Sequence, residues 1–213
     1  KTTMCIKNDT RPLKPVRRIV LLAPAKNKEY GMIAIDHGAD AVYIGATSFG
    51  ARRAAANSID DIRDLCKYAH IYNAKVYATV NTVVYDHELG DAERLVNELK
   101  DAGVDAILLQ DMGLLSIVRD KGIEIHASTQ TDNRDTAKVE WLRGNGFSRV
   151  VLARELSIEE IGKIHRAVPD IELEAFIHGA LCVSYSGQCY ASEYVNGRSA
   201  NRGECAQMCR MRY

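Results

Sequence analysis

The sequence has no excess of charge of either sign: Lys plus Arg and Asp plus Glu number 28 each in 213 residues. No global field draws the protein to a polyanion, so any contact with nucleic acid has to be a local patch. No apolar run approaches the roughly 18 residues of a membrane span, and no membrane span is expected. The basic N-terminus lacks the hydrophobic core of a secretory signal. A cytoplasmic protein is therefore expected, with its six cysteines reduced and serving as ligands, reactive groups or core filler rather than disulfides. Familiar catalytic signatures are missing too: there is no His-Glu-x-x-His helix and no Gly-x-Ser-x-Gly elbow. The first strand leads into Pro24-Ala25-Lys26-Asn27, which is no glycine-rich phosphate loop. Lys1 stands where a methionine would start a complete chain, so a fragment or a processed chain is expected.

What the sequence does have is rhythm. Residues 1–15 are polar, without periodicity, and read as a tail in which Cys5 is incidental. From Val16 onward, short apolar runs alternate with helical stretches. The runs cover 18–23, 40–44, 75–80, 105–109, 123–127, 149–153 and 171–177, the first ending at Pro24, which cannot continue a central strand. The helices cover 28–37, 58–72, 86–102, 113–120, 136–145 and 157–167. Ser58 begins one of them as an N-cap, and its apolar face makes Cys66 core filler. Gly38-Ala-Asp-Ala-Val-Tyr-Ile, Gly103-Val-Asp-Ala-Ile-Leu-Leu and Gly146-Phe-Ser-Arg-Val-Val-Leu repeat one phrase, a glycine past a helix end leading into a strand.

Strands that are apolar throughout are buried on both faces, which implies a parallel sheet covered by helices, either a closed barrel or an open doubly wound sheet. Unbroken alternation at a spacing of roughly 25 residues favours the TIM-type (β/α) barrel. The chain ends before an eighth unit, so the expectation is a barrel truncated after its seventh strand. It divides into a tail (1–15), an incomplete barrel (16–177) and a Cys-rich segment (178–213) lying over the barrel mouth.

In such barrels the functional mouth lies at the C-terminal ends of the strands. Those ends carry Asn81, Gln110, Asp111, Ser128 to Gln130, Arg154, Glu155 and His178. Each has a bland reading as a cap or strand terminator, and His178 as a satisfied core histidine; their convergence by topology favours a polar pocket. Next come Cys182, Cys189, Cys205 and Cys209, spaced Cys-x6-Cys, fifteen residues, then Cys-x3-Cys. Four thiolates suit zinc or an iron–sulfur cluster. The spacing is unlike paired Cys-x2-Cys zinc hairpins and favours the cluster, with zinc as the alternative. Arg198, Arg202, Arg210 and Arg212 make the end of the chain locally basic, either as a solvated face or as forks for phosphate or carboxylate.

The stretch Glu174-x-Phe176-x-x-Gly179-Ala180-Leu181-Cys182, followed by Gly187-x-Cys189-x-x-Ser192, resembles the signature of the collagenase-like peptidases, family U32. One position departs, Ala191 standing where a larger aliphatic residue is usual. The likeness continues through Asp40-Ala-Val-Tyr-Ile-Gly45, Phe49-Gly-Ala-Arg52, Thr79-Val-Asn81, Gln110-Asp111, His126-Ala-Ser-Thr-Gln130 and Arg149-Val-Val-Leu-Ala-Arg-Glu155. The family name implies a peptidase. Its better-understood members imply a [4Fe-4S] cluster on four cysteines and oxygen-independent hydroxylation of an RNA base, either a tRNA uridine or an rRNA cytidine, or of a related small aromatic ring. Prephenate is an implied oxygen source in the tRNA case. Under that resemblance Cys182, Cys189, Cys205 and Cys209 hold the cluster. His178, Glu155, Arg154 and Asp111 are the catalytic candidates, with His178 or Glu155 moving protons. Asn81, Gln130, Arg198 and Arg202 are the candidates for binding substrate. The resemblance sets no oligomeric state.

Overall fold

Period-two alternation inside each strand decides which side chains face the helices and which face inward. A computed structural model describes residues 19–51 and 57–212. The expected tail, Cys5, Arg18 and Arg52 lie outside the described residues. Seven parallel strands stand in chain order: β1 (Leu22–Ala25), β2 (Ala41–Gly45), β3 (Lys75–Val80), β4 (Ala106–Leu109), β5 (Glu124–Ala127), β6 (Arg149–Val151) and β7 (Glu172–Glu174). Between them run α1 (Lys28–Asp36), α2 (Ile59–Ile71), α3 (Leu89–Ala102), α4 (Leu115–Val118), α5 (Thr136–Gly144) and α6 (Ile158–Ala167), with a short α7 (Ala191–Asn196) beyond β7. The expected barrel-type alternation, stopping after the seventh strand, is what the structure has.

The sheet is strongly curled. The Tyr43 hydroxyl of β2 donates to both carboxylate oxygens of Glu174 on β7, at 2.5 and 2.6 Å. In a flat sheet those strands would lie about 24 Å apart. Val42, Ile44, Val76, Ile107, Leu109, Ile125 and Val150 face the helices and build the larger apolar core with Leu65, Leu99 and Leu142. Ala41, Tyr77, Ala106, Leu108 and Val151 face inward, with Leu22 and Tyr43 against them.

The repeated phrase has a structural cause. Gly38, Gly103 and Gly146 all take φ near +90°, the left-handed turn that lets a helix end directly into a strand. Two residues later Asp40 accepts the backbone N–H of Leu21, and Asp105 accepts that of Val76. Each aspartate thus ties the start of its own strand to the preceding one. Ser58 accepts Asp61 N–H at 3.1 Å to cap α2, and Cys66 is buried in the core as expected.

Three local expectations are corrected. Pro24 lies inside β1 rather than ending it; among the described residues β1 pairs only with β2, and an edge strand tolerates a missing N–H. The helix expected over 113–120 is split into a 3-10 turn (Met112–Leu114), α4 and another 3-10 turn (Arg119–Lys121), because Asp111 closes a tight turn through Gly113. The seventh strand is short: β7 matches only the three paired positions of β6, and Phe176 and Ile177 beyond it are exposed. Among the described residues no helix is long and apolar enough to cross a membrane.

Candidate functional site

The mouth is built from the loops that follow the strands, and most of its polar groups are committed to shaping it. Asn81 accepts Ala51 N–H at 2.8 Å and donates to the Ser128 hydroxyl at 3.0 Å, locking the ends of β3 and β5 together. Asp111 accepts Val84 N–H through one oxygen and Gly113 N–H through the other, both at 2.9 Å. Buried Asn133 donates to the carbonyls of Ser128 and Val151, each at 2.9 Å. Asn81, expected to bind substrate, and Asp111, expected to act in catalysis, thus also hold backbone N–H groups and a neighbouring hydroxyl in place.

Glu155 and Arg154 are placed differently. Glu155 accepts the backbone N–H of Ser186 at 2.8 Å and its hydroxyl at 3.4 Å, which fastens the cysteine-bearing segment to the end of β6. Thr129 donates to the same hydroxyl at 3.3 Å. At Gly187 the segment passes so close to β5 that an added Cβ would lie 2.8 Å from the Gln130 carbonyl carbon and nearer still to its oxygen, at a φ of +72°. Only glycine satisfies both conditions. Arg154 holds its Nε buried with no acceptor among the described residues. His178 is exposed, which corrects its reading as a satisfied core histidine.

The far end of the segment is fastened near β3. Val83 N–H donates to the Asn201 carbonyl at 3.2 Å. Arg202 forks onto Glu88 at 2.6 and 3.0 Å, donates to the Val83 carbonyl at 2.9 Å and covers the Tyr85 ring at 4.6 Å. That hydrogen-bonded guanidinium holds the Glu88 carboxyl down at about 2. Arg202, expected to meet substrate, has its guanidinium engaged as the clasp of this anchor. It borders a cleft of about 360 Å³ shared with Thr47, Phe49, Asp91 and Glu204. Arg198 is exposed.

Cys182, Cys189, Cys205 and Cys209 are free thiols, the first two half-buried and the last two exposed. Their flanking chain is drawn together at two points. Arg210, next to Cys209, donates to the carbonyl of Leu181, next to Cys182, at 3.0 Å. Ala206 N–H, next to Cys205, donates to the Ser192 hydroxyl at 2.6 Å. Gln207 N–H lies 3.4 Å from Cys205 Sγ. The thiol side chains themselves are not gathered: among the described residues no three His, Cys, Asp or Glu side chains form a metal-holding group. Donor type and paired backbone flanks suit a thiolate-bound group.

The sequence reading missed a polar network inside the barrel. Arg149 lies 2.5 Å from Glu172 and 3.6 Å from Glu174, with its guanidinium 5.1 Å from the centre of the Tyr77 ring. Tyr77 meets His126 edge-on at 4.7 Å. Burial raises the Glu174 carboxyl above its ordinary value and lowers His126 to about 3. His126 Nδ1 is buried without a partner among the described residues. The available signal was alternation, since Tyr43, Tyr77, His126, Arg149, Glu172 and Glu174 all occupy inward positions of strands read as uniformly apolar.

A curled parallel (β/α) sheet with a thiol-bearing strap fastened across its C-terminal mouth defines the class. The sequence profile of Peptidase family U32 matches residues 26–213, and the chain belongs to that family. It is 52% identical over 196 residues to the 23S rRNA 5-hydroxycytidine C2501 synthase of Escherichia coli, which covers 92% of this chain and 30% of that protein. It is 40% identical over 196 residues to tRNA hydroxylation protein P1 of Bacillus subtilis, covering 91% of this chain and 46% of the relative. The chain thus spans less than half the length of either. A solved U32 peptidase, Mk0906, superposes with a TM-score of 0.62 at 15% identity, covering 79% of this chain and 73% of that one, a likeness of fold.

Proposed function

We propose that this chain forms the barrel part of a cytoplasmic enzyme that hydroxylates a pyrimidine base in RNA, an rRNA cytidine ahead of a tRNA uridine. The observation that carries the reading is the 52% identity over 196 residues with a protein named as an rRNA 5-hydroxycytidine synthase. Cys182, Cys189, Cys205 and Cys209 would hold an iron–sulfur cluster, which when bound supplies one-electron chemistry. Around it the chain's own groups divide the work. Glu155 is the proton acceptor at the mouth, oriented by Ser186 N–H. Arg154, whose Nε is buried without an acceptor among the described residues, would bind an oxygen of the substrate through its guanidinium. Asn81, Asp111 and Asn133 keep the strand ends in register beneath them. His178, exposed on the chain that follows β7, is the alternative proton carrier.

Peptide hydrolysis, the activity in the family's name, finds less support in the geometry. The Ser186 hydroxyl is buried and shared between Glu155 and Thr129, so it is not offered to a scissile carbonyl. The test is deletion of the gene followed by nucleoside mass spectrometry of rRNA and tRNA. Loss of a pyrimidine nucleoside one oxygen heavier than its parent is expected, restored by the wild-type gene and not by Cys182→Ser. An unchanged nucleoside profile would overturn the reading, as would an active, iron-free protein after anaerobic purification.

A further inference from the structure

Between the loops that follow β4 and β5, beside the cysteine-bearing segment, lies an open pocket of about 220 Å³. Its chemistry differs from that of the larger cleft on the β2–β3 side. There Glu88, Asp91 and Glu204 line the space, with the Arg202 guanidinium already bound to Glu88; acids outnumber the one cation, which disfavours a phosphate backbone. The smaller pocket has no acid in its lining. Gln110, Gln130 and Gln188 bring three amides, Lys138 a cation and Trp141 an aromatic face.

Two of these groups are conspicuously unused. Trp141 sits on α5 with half of its surface exposed, a large indole face that folding has not covered. Gln110 Oε1 is buried and has no donor among the described residues, an unmet acceptor that costs free energy unless something supplies an N–H. Lys138 is held by the Thr131 carbonyl, and an ammonium has three donors, so it retains capacity for a further oxygen. An aromatic face, an acceptor and a cation lining one pocket are the three kinds of contact an unpaired nucleotide needs for base, base edge and phosphate.

We propose that this pocket is a subsite for an unpaired nucleobase of the RNA strand, distinct from the reacting base. Trp141 stacks on the base, Gln110 Oε1 accepts an N–H from its edge, and Lys138 meets the adjoining phosphate. The inference rests on the reading of RNA as substrate and adds to it a side of approach: the strand enters over β4 and β5, away from the acidic cleft. It also gives Gln130, a candidate substrate contact from the sequence, a specific location in the pocket wall.

Trp141 is the only tryptophan of the chain, so its emission reports on this pocket alone. A short single-stranded RNA should quench that emission saturably, and the same sequence as a duplex should not. Trp141→Leu, at an exposed helix position, should weaken binding of labelled RNA roughly tenfold or more by fluorescence anisotropy, and Gln110→Leu should weaken it less. Binding of RNA without quenching overturns the subsite, as does Trp141→Leu with wild-type affinity, or no binding at all. The functional reading fails separately. Quenching and a Trp141→Leu defect with an unchanged cellular nucleoside profile after gene deletion would support the pocket and sink hydroxylation. Undiminished hydroxylation by Trp141→Leu, with wild-type RNA affinity, would do the reverse.

Discussion

Replacing Gly187 with alanine should lift the cysteine-bearing segment off the barrel. At φ +72° an alanine costs about 1–2 kcal/mol relative to ordinary backbone. Its Cβ would also press on the Gln130 carbonyl group, so loop and strand end must part by roughly an ångström to regain normal contact. The bond from Ser186 N–H to Glu155, now 2.8 Å, would then exceed hydrogen-bonding length. A hydrogen bond to a charged group contributes about 1.5–3 kcal/mol, which brings the penalty to about 2.5–5 kcal/mol in all. Gly187 and Gln130 lie outside both apolar clusters, so the segment should detach locally before the barrel melts. Hydrogen exchange read by mass spectrometry should show amide protection lost over 182–189, with the thermal midpoint of the barrel lowered by only a few degrees. Wild-type protection across that stretch would refute the argument, and so would unfolding of the barrel in the same step.

Three further outcomes follow from the same contacts. His126 stays neutral in the fold down to about 3 against an ordinary 6.5, so above pH 6.5 both states are neutral and it contributes no pH dependence. Between 6.5 and 3 the unfolded chain takes up a proton the folded one refuses, and stability falls with pH by up to about 1.4 kcal/mol per unit; urea midpoints should fall more steeply than in His126→Phe, and parallel slopes would sink the assignment. Tyr43→Phe removes the donor that holds Glu174 against β2 and should cost about 1.5–3 kcal/mol in urea unfolding, whereas a loss under half a kcal/mol would mean the network is slack. Arg202→Lys keeps the charge but not the fork onto Glu88, so protease nicking near Asn201 should rise as it does in Arg202→Ala; full protection by lysine would show that charge alone suffices.

The barrel was legible because its signals are redundant. Each strand is a compact apolar run, each repeat carries a glycine at the helix exit, and Asp40 and Asp105 recur at the same step to tie strand to strand. Pro24 misled because a proline says what a central strand forbids, and β1 lies at an edge. Site residues were harder to sort, since a polar residue at a strand end looks the same whether it faces substrate or backbone. Asp111 and Asn81 bond backbone and a neighbouring hydroxyl, while Arg154 Nε has no acceptor among the described residues. Gly187 was visible as part of a motif, but its close approach to Gln130 depends on residues more than fifty positions apart.

The anchors of the segment bear on how its thiols could meet. One anchor is Ser186 on Glu155, the other Asn201 and Arg202 on Val83 and Glu88. Only Cys189 lies between them along the chain; Cys182 precedes the first, and Cys205 and Cys209 follow the second. A donor set that straddles its own anchors cannot be gathered by the barrel alone. The segment has to fold back on itself, and it does so at the two places where that helps: Arg210 reaches Leu181, and Ala206 reaches Ser192. These links pair the flank of Cys209 with that of Cys182 and bring Cys205 beside the helix that follows Cys189. Arg210, which in sequence looks like one more exposed cation, is therefore the residue whose loss should part Cys182 from Cys209. Arg210→Ala should lower iron content after anaerobic reconstitution more than Arg212→Ala does. Equal iron in the two variants would show that the fold-back contributes nothing to gathering the thiols.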